Sequence, residues 1–221
     1  MVQNKVLTGN VAISVVGVSG KSHFILSEKA WALVTIQVKK ALAIITSAGP
    51  DNLRFECNFN LCTVDETRSE VASFAARSID EIDDLESRWV LPALKTLGFH
   101  SHNAYLTNQM LKSGCDQGFV VYISKFPMEH FAYQTNSRIC LSYFSGGFGV
   151  ANLHALLLHE ICHVFGAADE VGACHCNEKF GVAQVENGNC HSCTPNPVPC
   201  IMAANSLDIC LWTRRQIGWH E

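Results

Sequence analysis

Two histidines four positions apart, His159 and His163, are the residues of this chain best placed to do chemistry. On an α-helix, positions i and i+4 lie on one face, so both imidazoles can converge on one metal ion. Gly166 can adopt the left-handed conformation that ends a helix, and the turn would bring Asp169 to the same ion. Three protein ligands are typical of a catalytic zinc, whereas a structural zinc normally has four. Glu160 lies off the ligand face, so it could act on a water as a general base without binding the metal.

The cysteines suggest a second cluster. Five of the 11 cysteines crowd into the segment just after the histidines: Cys174, Cys176, Cys190, Cys193 and Cys200. Crowding in a loop-like segment is typical of cross-linking, either by disulfides in an oxidising compartment or by a metal. The Cys-x-Cys and Cys-x-x-Cys pairs could build a tetrahedral site for a second, structural zinc. Free thiols are the third alternative.

Other groups that could bind a metal are interpreted as structural. His154 is poorly phased with the histidine pair, so it is expected to be a surface or core residue. Cys162 is expected to be a small buried hydrophobe. The acidic run at 80–86 is interpreted as a solvated helix face.

The elements that must position these residues follow from the hydrophobic pattern. Period-two or continuous apolar runs predict strands at 11–18, 53–64, 118–124 and 138–144. The strand at 118–124 is expected to be central and buried on both faces, and that at 53–64 half-buried. Three- and four-residue spacing predicts helices at 28–46, 69–97, 103–112, 152–165 and 207–217. Ser27 is the expected N-cap of the first helix, and Pro92 should begin a new segment or kink the helix at 69–97.

This order predicts an α/β (α+β) fold with a twisted mixed sheet, an active-site helix and an irregular cysteine-rich C-terminal lobe. We expect one domain over 1–221, with an N-terminal part at 1–166 and a C-terminal part at 167–221. At 48% hydrophobic and 16% charged residues, the chain can bury a sizeable core. The net charge of −4 gives no reason to expect nucleic acid as a partner. No apolar run approaches the ~20 residues of a membrane span, and we expect a monomer.

The sequence is compatible with two cellular compartments. The start of the chain leads into the strand at 11–18 and does not look like a signal peptide. The protein therefore either stays in the cytoplasm or is a mature form whose export signal has been removed. The cysteine-rich lobe favours secretion.

The motif His159–Asp169 resembles that of the metzincin clan of zinc metallopeptidases, whose signature is HExxHxxGxxH followed by a Met-turn. Asp169 stands in the position of the third histidine, as in snapalysin-like and related bacterial enzymes. Cys200-Ile201-Met202 resembles the Met-turn, which places Met202 beneath the metal. The resemblance implies a zincin-like fold, one catalytic Zn²⁺, Glu160 as general base and a protein or peptide substrate. It also implies an edge strand above the cleft, for which 138–144 is the candidate.

Two further expectations follow from the resemblance. A disulfide from Cys200 back to the cysteine-rich loop would pin the Met-turn under the metal. The activity implied is that of an endopeptidase; the alternatives are a non-catalytic zinc- and cysteine-rich interaction module and a zinc hydrolase of a non-peptide amide.

Overall fold

The computed structural model describes residues 5–65, 87–126, 132–144, 147, 149–203 and 206–219. Its strands are β1 (Asn10–Ser19), β2 (Arg54–Thr63), β3 (Gln117–Ser124), β4 (Ala132–Thr135), β5 (Arg138–Ser142), β6 (Lys179–Phe180) and β7 (Val185–Glu186). Its α-helices are α1 (Glu28–Ala48), α2 (Val90–Thr96), α3 (His102–Ser113), α4 (Leu153–Val164) and α5 (Leu211–Gln216). The protein is therefore mixed in helix and strand, as expected for an α+β class.

Five strands form one mixed sheet in the order β2-β1-β3-β5-β4. The first three neighbouring pairs are parallel, and β4 pairs antiparallel with β5. Every residue of β3 is buried, which confirms the prediction of a central strand covered on both faces. β2 lies at one edge and is more exposed than the half-buried strand predicted, with Cys57 exposed and Cys62 buried.

The prediction that 138–144 forms the free edge of the sheet is wrong. β5 lies between β3 and β4, so the edge strand is β4. The two strands form a hairpin in which Thr135 is opposite Arg138, and Asn136 adopts a positive φ of 54° in the turn. A two-residue turn of this kind favours asparagine, so Asn136 is the one signal that could have located β4. The strand itself is short and lacks a period-two pattern.

Helices cover both faces of the sheet. On one face α1 and α4 pack against β1 and β3, and this core contains Val38, Phe119 and Ile161. On the other face α2 and α3 pack over Val120 and Tyr122. α1 begins as predicted, because the Ser27 side chain accepts a hydrogen bond from the Ala30 N–H.

The sequence predicts no membrane span, but by length and composition the described segment Ser22–Ala48 is long and apolar enough to cross one. This segment contains α1. Six α1 residues are buried, and the helix packs against α4 and the sheet, as a core helix does.

Two predicted helices differ from the structure. For the helix predicted at 69–97, residues 66–86, and with them the acidic run, lie outside the described residues. Its last part is α2, which begins at Val90 after a break and so agrees with the expectation for Pro92. The last helix begins at Leu211 instead of 207, because Cys210 caps it by accepting a hydrogen bond from the Thr213 N–H.

Among the described residues between α4 and α5, the regular structure is limited to the short β6–β7 hairpin. This agrees with the prediction of an irregular lobe. Met202, Ile217 and Trp219 nevertheless belong to the same apolar core as Val11 and Leu157. The lobe is therefore fixed to the sheet by burial on the face that carries α4.

Candidate functional site

α4 presents His159 and His163 on one face, with their Nε2 atoms 3.0 Å apart. Gly166 follows the helix with φ of 94°, and its N–H donates to the His163 carbonyl oxygen at 3.0 Å. A Cβ at Gly166 would lie 2.8 Å from the Cα of Gly181, so both the conformation and the close approach require glycine here. The turn brings Asp169 back to the histidines, as predicted, with Oδ1 at 3.2 Å and 3.4 Å from the two Nε2 atoms.

In each imidazole, the hydrogen bond made by Nδ1 determines whether Nε2 has a lone pair for a metal ion. His159 Nδ1 lies 3.0 Å from the Ile201 carbonyl oxygen, and His163 Nδ1 lies 2.8 Å from that of Ala167. A carbonyl oxygen only accepts, so each Nδ1 must carry the proton. In a neutral ring Nε2 then has a bare lone pair, and the two lone pairs face each other at 3.0 Å beside a carboxylate oxygen. A cation relieves this repulsion, and the donor set therefore fits a metal ion.

Negatively charged groups around these histidines favour a positive charge where the two Nε2 atoms face each other. Burial lowers the pKa of His159, but the hydrogen bond with Asp169, the nearby charge of Glu160 and the Ile201 carbonyl raise it to about 9. Burial raises the pKa of the Asp169 carboxyl, but the two histidines hold it well below its usual range. The donor atoms of all three residues lie within 4.8 Å of one another, so the group could hold a metal ion.

Glu160 lies beside this group in the wall of the cleft and is 6% exposed. Burial raises its pKa above the usual range for glutamate, although the charges of His163 and His159 oppose the shift. A carboxyl group whose pKa moves toward neutrality suits proton transfer near neutral pH.

Met202 is fully buried and forms part of the cleft wall. It lies in a tight turn in which the Ala203 N–H donates to the Cys200 carbonyl oxygen at 3.0 Å. The turn contacts His159 and also Glu170, the residue that follows Asp169. The Ile201 carbonyl accepts from His159, and the Met202 carbonyl accepts from the Glu170 N–H at 3.0 Å. The structure therefore places Met202 next to the histidines, as the sequence motif predicts.

Glu170, the residue after Asp169, is a functional candidate that the sequence did not reveal. It is 1% exposed, and Oε2 accepts a hydrogen bond from Asn189 at 2.6 Å. Oε1 accepts from the hydroxyl of Thr213 at 3.0 Å and from the thiol of Cys210 at 2.9 Å. One carboxylate thus joins the ligand loop, the cysteine-rich loop and α5. Its partners are distant in sequence, so no local pattern could have identified it.

The cysteine-rich loop contains two pairs at disulfide distance. Cys174 is joined to Cys190 and Cys176 to Cys193, with Cα–Cα distances of 5.7 Å and 6.4 Å. The predicted disulfide from Cys200 to this loop is wrong. The Cys200 side chain is buried against α5, with Sγ 3.2 Å from the Thr213 hydroxyl, so it points away from the loop.

The same loop is also a possible donor group. Thiols of Cys176, Cys190 and Cys193 lie within 4.8 Å of one another, so these residues could hold a metal ion in place of the disulfides. His154 belongs to none of the donor groups found among the described residues; its Nδ1 lies 2.8 Å from Gln37 Oε1 and 3.0 Å from the Ala151 carbonyl oxygen. Cys162 is fully buried and burial raises its pKa, which confirms the prediction of a small core residue.

The histidines and Asp169 lie in an open cleft of about 1150 Å³. α4 contributes one wall and the edge strand β4 another, while the Met-turn and the segment after it contribute a third. The side chains of these last two walls are Ala132, Tyr133, Gln134, Ile201, Met202, Ala203, Ser206 and Leu207. The cleft thus runs beside the outer edge of β4, which pairs with β5 alone among the described strands, and past a mostly apolar wall.

In comparisons with protein families and with curated proteins, no match to this chain was found. The inference of function therefore depends on the cleft itself and on the motif.

Proposed function

We propose that this protein is a zinc-dependent endopeptidase, similar to metzincins that use aspartate as the third metal ligand. The observation that carries the proposal is the pair of facing Nε2 atoms of His159 and His163, with Asp169 beside both. Two imidazoles and one carboxylate are a ligand set suited to zinc, and three protein ligands leave a position open for substrate or water.

The chain's own residues have distinct roles in this proposal. Bound zinc would supply a Lewis acid that polarises the scissile carbonyl group. Glu160 accepts a proton from the attacking water and passes it to the leaving amine, for which its raised pKa is suited. The Ile201 and Ala167 carbonyls fix the orientation of the two imidazoles. Met202 supplies an apolar base under the group.

The shape of the cleft supports a polypeptide substrate in preference to a small amide. β4 is the last strand of the described sheet along one wall, and an extended peptide can add to such an edge as a further strand. Main-chain hydrogen bonds of that kind recognise a polypeptide of almost any sequence. Leu207 and Ala203 on the opposite wall offer an apolar surface to a substrate side chain.

The substitution Glu160→Gln tests the activity. It keeps the size of the side chain and removes the base, so cleavage of a quenched fluorescent peptide should fall by about 10²–10⁴-fold. Metal analysis should still find close to one catalytic zinc per chain, because Glu160 is not a ligand. The matched control is Glu178→Gln, which changes an exposed glutamate outside the cleft and should cleave normally.

Each result has a clear meaning. A Glu160→Gln variant that cleaves at the wild-type rate would end the proposal. Wild-type protein that binds zinc tightly but never cleaves casein or peptides would favour the non-catalytic interaction module. Two zinc ions per chain, with the second lost on Cys176→Ser, would show that the cysteine-rich loop binds a structural metal.

A further inference from the structure

The described residues of the segment between Cys200 and Cys210 contribute one wall of the cleft. They include the Met-turn at the start of the segment, Ser206 and Leu207 at the cleft surface, and the N-cap of α5 at its end. Cys200 and Cys210 stand at its two ends and are 0% and 7% exposed. Their sulfur atoms lie within 4.8 Å of each other and of the Glu170 carboxylate.

Several contacts hold the two cysteines together. The Cys210 N–H donates to Cys200 Sγ at 3.4 Å, and the Ile201 N–H donates to the Asp208 carbonyl oxygen at 2.7 Å. Both sulfur atoms also lie near the Thr213 hydroxyl, at 3.2 Å from Cys200 and 3.6 Å from Cys210. Because backbone bonds draw the ends of the segment together, the two thiols face each other as a consequence of the local fold.

We propose that Cys200 and Cys210 form a third disulfide, which closes the segment that carries the Met-turn and the cleft wall. The other four cysteines of the lobe already stand in two pairs at disulfide distance, so conditions that oxidise them would oxidise this pair as well. The cysteines outside these three pairs are Cys57, Cys62, Cys115, Cys140 and Cys162, and they lie in none of the donor groups found among the described residues.

The Glu170 carboxylate would still be hydrogen-bonded after disulfide formation removed one of its donors. It accepts a hydrogen bond from the Cys210 thiol, which a disulfide would remove. It would keep its bonds from Asn189 at 2.6 Å and Thr213 at 3.0 Å, so a donor would remain on each carboxylate oxygen. A metal ion in the same place would need both thiols deprotonated, and it would leave the two cysteines without a covalent bond between them.

The oxidation is a balanced exchange with a small-molecule disulfide such as oxidised glutathione. Hydrogen bonding with Cys210 and with Thr213 lowers the pKa of Cys200 against the effect of burial, so Cys200 supplies the attacking thiolate. It displaces one glutathione thiolate and forms a mixed disulfide. The Cys210 sulfur then displaces the second glutathione. The S–S bond of oxidised glutathione breaks and one protein S–S bond forms. The two thiol protons pass to the two glutathione thiolates, so two electrons reduce the glutathione disulfide to two molecules of glutathione.

Digestion before aspartate provides a direct test. Asp169 and Asp208 are consecutive aspartates in the sequence, so cleavage yields the peptides 169–207 and 208–221. Cys210 is the sole cysteine of the second peptide. The reduced, denatured chain is refolded in a glutathione redox buffer, its free thiols are alkylated, and the digest is analysed by mass spectrometry without reduction. We expect the two peptides to stay joined, with two fewer alkylated thiols than the seven that the structure leaves free.

The variant Cys200→Ser identifies the partner, because it should release 208–221 while leaving the other two pairs intact. Cys140→Ala, a buried cysteine on the opposite face of the sheet, should leave the peptides joined. Fragmentation of the joined wild-type peptides assigns the bond even if a variant folds poorly. Release of 208–221 from the oxidised wild-type chain, or a bond from Cys210 to another cysteine, would overturn the inference. The result does not depend on whether the protein is a peptidase.

Discussion

Backbone oxygens, one from the Met-turn and one from the turn after α4, orient the two imidazoles of the site. Side-chain substitutions nearby therefore leave the tautomers of His159 and His163 unchanged unless they move those turns. Glu170 is the residue best placed to move them. Its N–H bonds the Met-turn, and its carboxylate bonds the cysteine-rich loop and α5.

The substitution Glu170→Gln should disturb the positioning of the proposed metal site without changing any of the proposed ligands. The amide removes a buried charge that accepts several hydrogen bonds, so we expect a loss of about 2 kcal/mol in the free energy of unfolding. Zinc affinity should fall by about 10–100-fold, as for other residues that orient ligands. Denaturant unfolding and chelator competition measure the two effects.

The control for that prediction is Leu94→Ala. Leu94 is fully buried in the core on the opposite face of the sheet, so its truncation destabilises the protein away from the site. If Leu94→Ala weakens zinc binding as much as Glu170→Gln does, Glu170 has no specific positioning role. Recovery of zinc affinity in Glu170→Asp would support a need for the charge.

His102 should make stability depend on pH. Burial and the charge of Arg138 lower its pKa to about 3, and its ring nitrogens contact Tyr122 at 3.1 Å and Ser137 at 2.9 Å. In the unfolded chain the pKa of His102 is near 6.5. Below that pH the unfolded chain binds a proton that the folded protein excludes. The contribution of His102 is therefore complete above pH 6.5 and is lost as the pH falls toward 3. Between pH 7 and pH 5 the loss should be about 2 kcal/mol.

Urea unfolding of the wild type and of His102→Gln at both values of pH measures this contribution. Other groups titrate equally in both proteins, so the difference between them isolates His102. Equal pH dependence in the two proteins would show that His102 is protonated in the folded state.

At the scale of residues, the sequence located His159, Glu160, His163 and Asp169 because helix and turn geometry relate them locally. Met202 was identified by its resemblance to a known turn. Glu170 and the Cys200–Cys210 contact were not predicted, since each joins segments that only the folded chain brings together.

Among the elements, β4 determines what the cleft can recognise. It is the edge strand on the side of the cleft, opposite the edge formed by β2, and three of its four residues border the cleft. It pairs antiparallel with β5, and among the described strands no other pairs with its outer edge, where a peptide could add. We therefore expect substrates to bind through their main chain along this strand.

Peptides with single N-methylated amides test that mode of binding. Where methylation removes a hydrogen bond to β4, KM should rise about fivefold with a smaller effect on kcat, since each such bond contributes about 1 kcal/mol. Methylation at the alternate positions, whose amides point away from β4, is the control. A uniform effect at all positions would exclude strand addition.

The elements show where prediction from sequence stops. The strands at β1 and β3 and the helices α1, α3 and α4 follow from strong apolar periodicity. β4 has no such pattern, because an edge strand beside a cleft buries neither face fully. The start of α5 depends on a cysteine acting as an N-cap, a residue type that is not a usual signal.

Over the whole molecule, the apolar core that underlies α4 includes residues of the irregular lobe, so the lobe and the sheet stabilise each other. The alternation of strands and helices predicted this class of fold. The order of the strands was not predictable, because parallel pairing joins segments that are far apart in the chain.

The cysteine-rich loop should contribute measurably to global stability. Cys176 and Cys193 are separated by 17 positions, and a cross-link over a loop of this length stabilises a protein by about 3 kcal/mol. The double variant Cys176→Ser/Cys193→Ser should lose about that much in guanidinium unfolding without any change in metal content. Loss of one metal ion per chain would show instead that these thiols bind a metal.

One further consequence concerns the first and last segments described. The Leu7 N–H donates to the Ile217 carbonyl oxygen at 2.9 Å, and the Trp219 indole donates to the Leu7 carbonyl oxygen at 2.6 Å. The segment that enters β1 therefore adjoins the one that leaves α5. The protein should tolerate circular permutation, with a short linker joining these segments and new termini opened at the exposed turn around Gly114. Such a permutant would keep His159, His163 and Asp169 on one continuous stretch of chain.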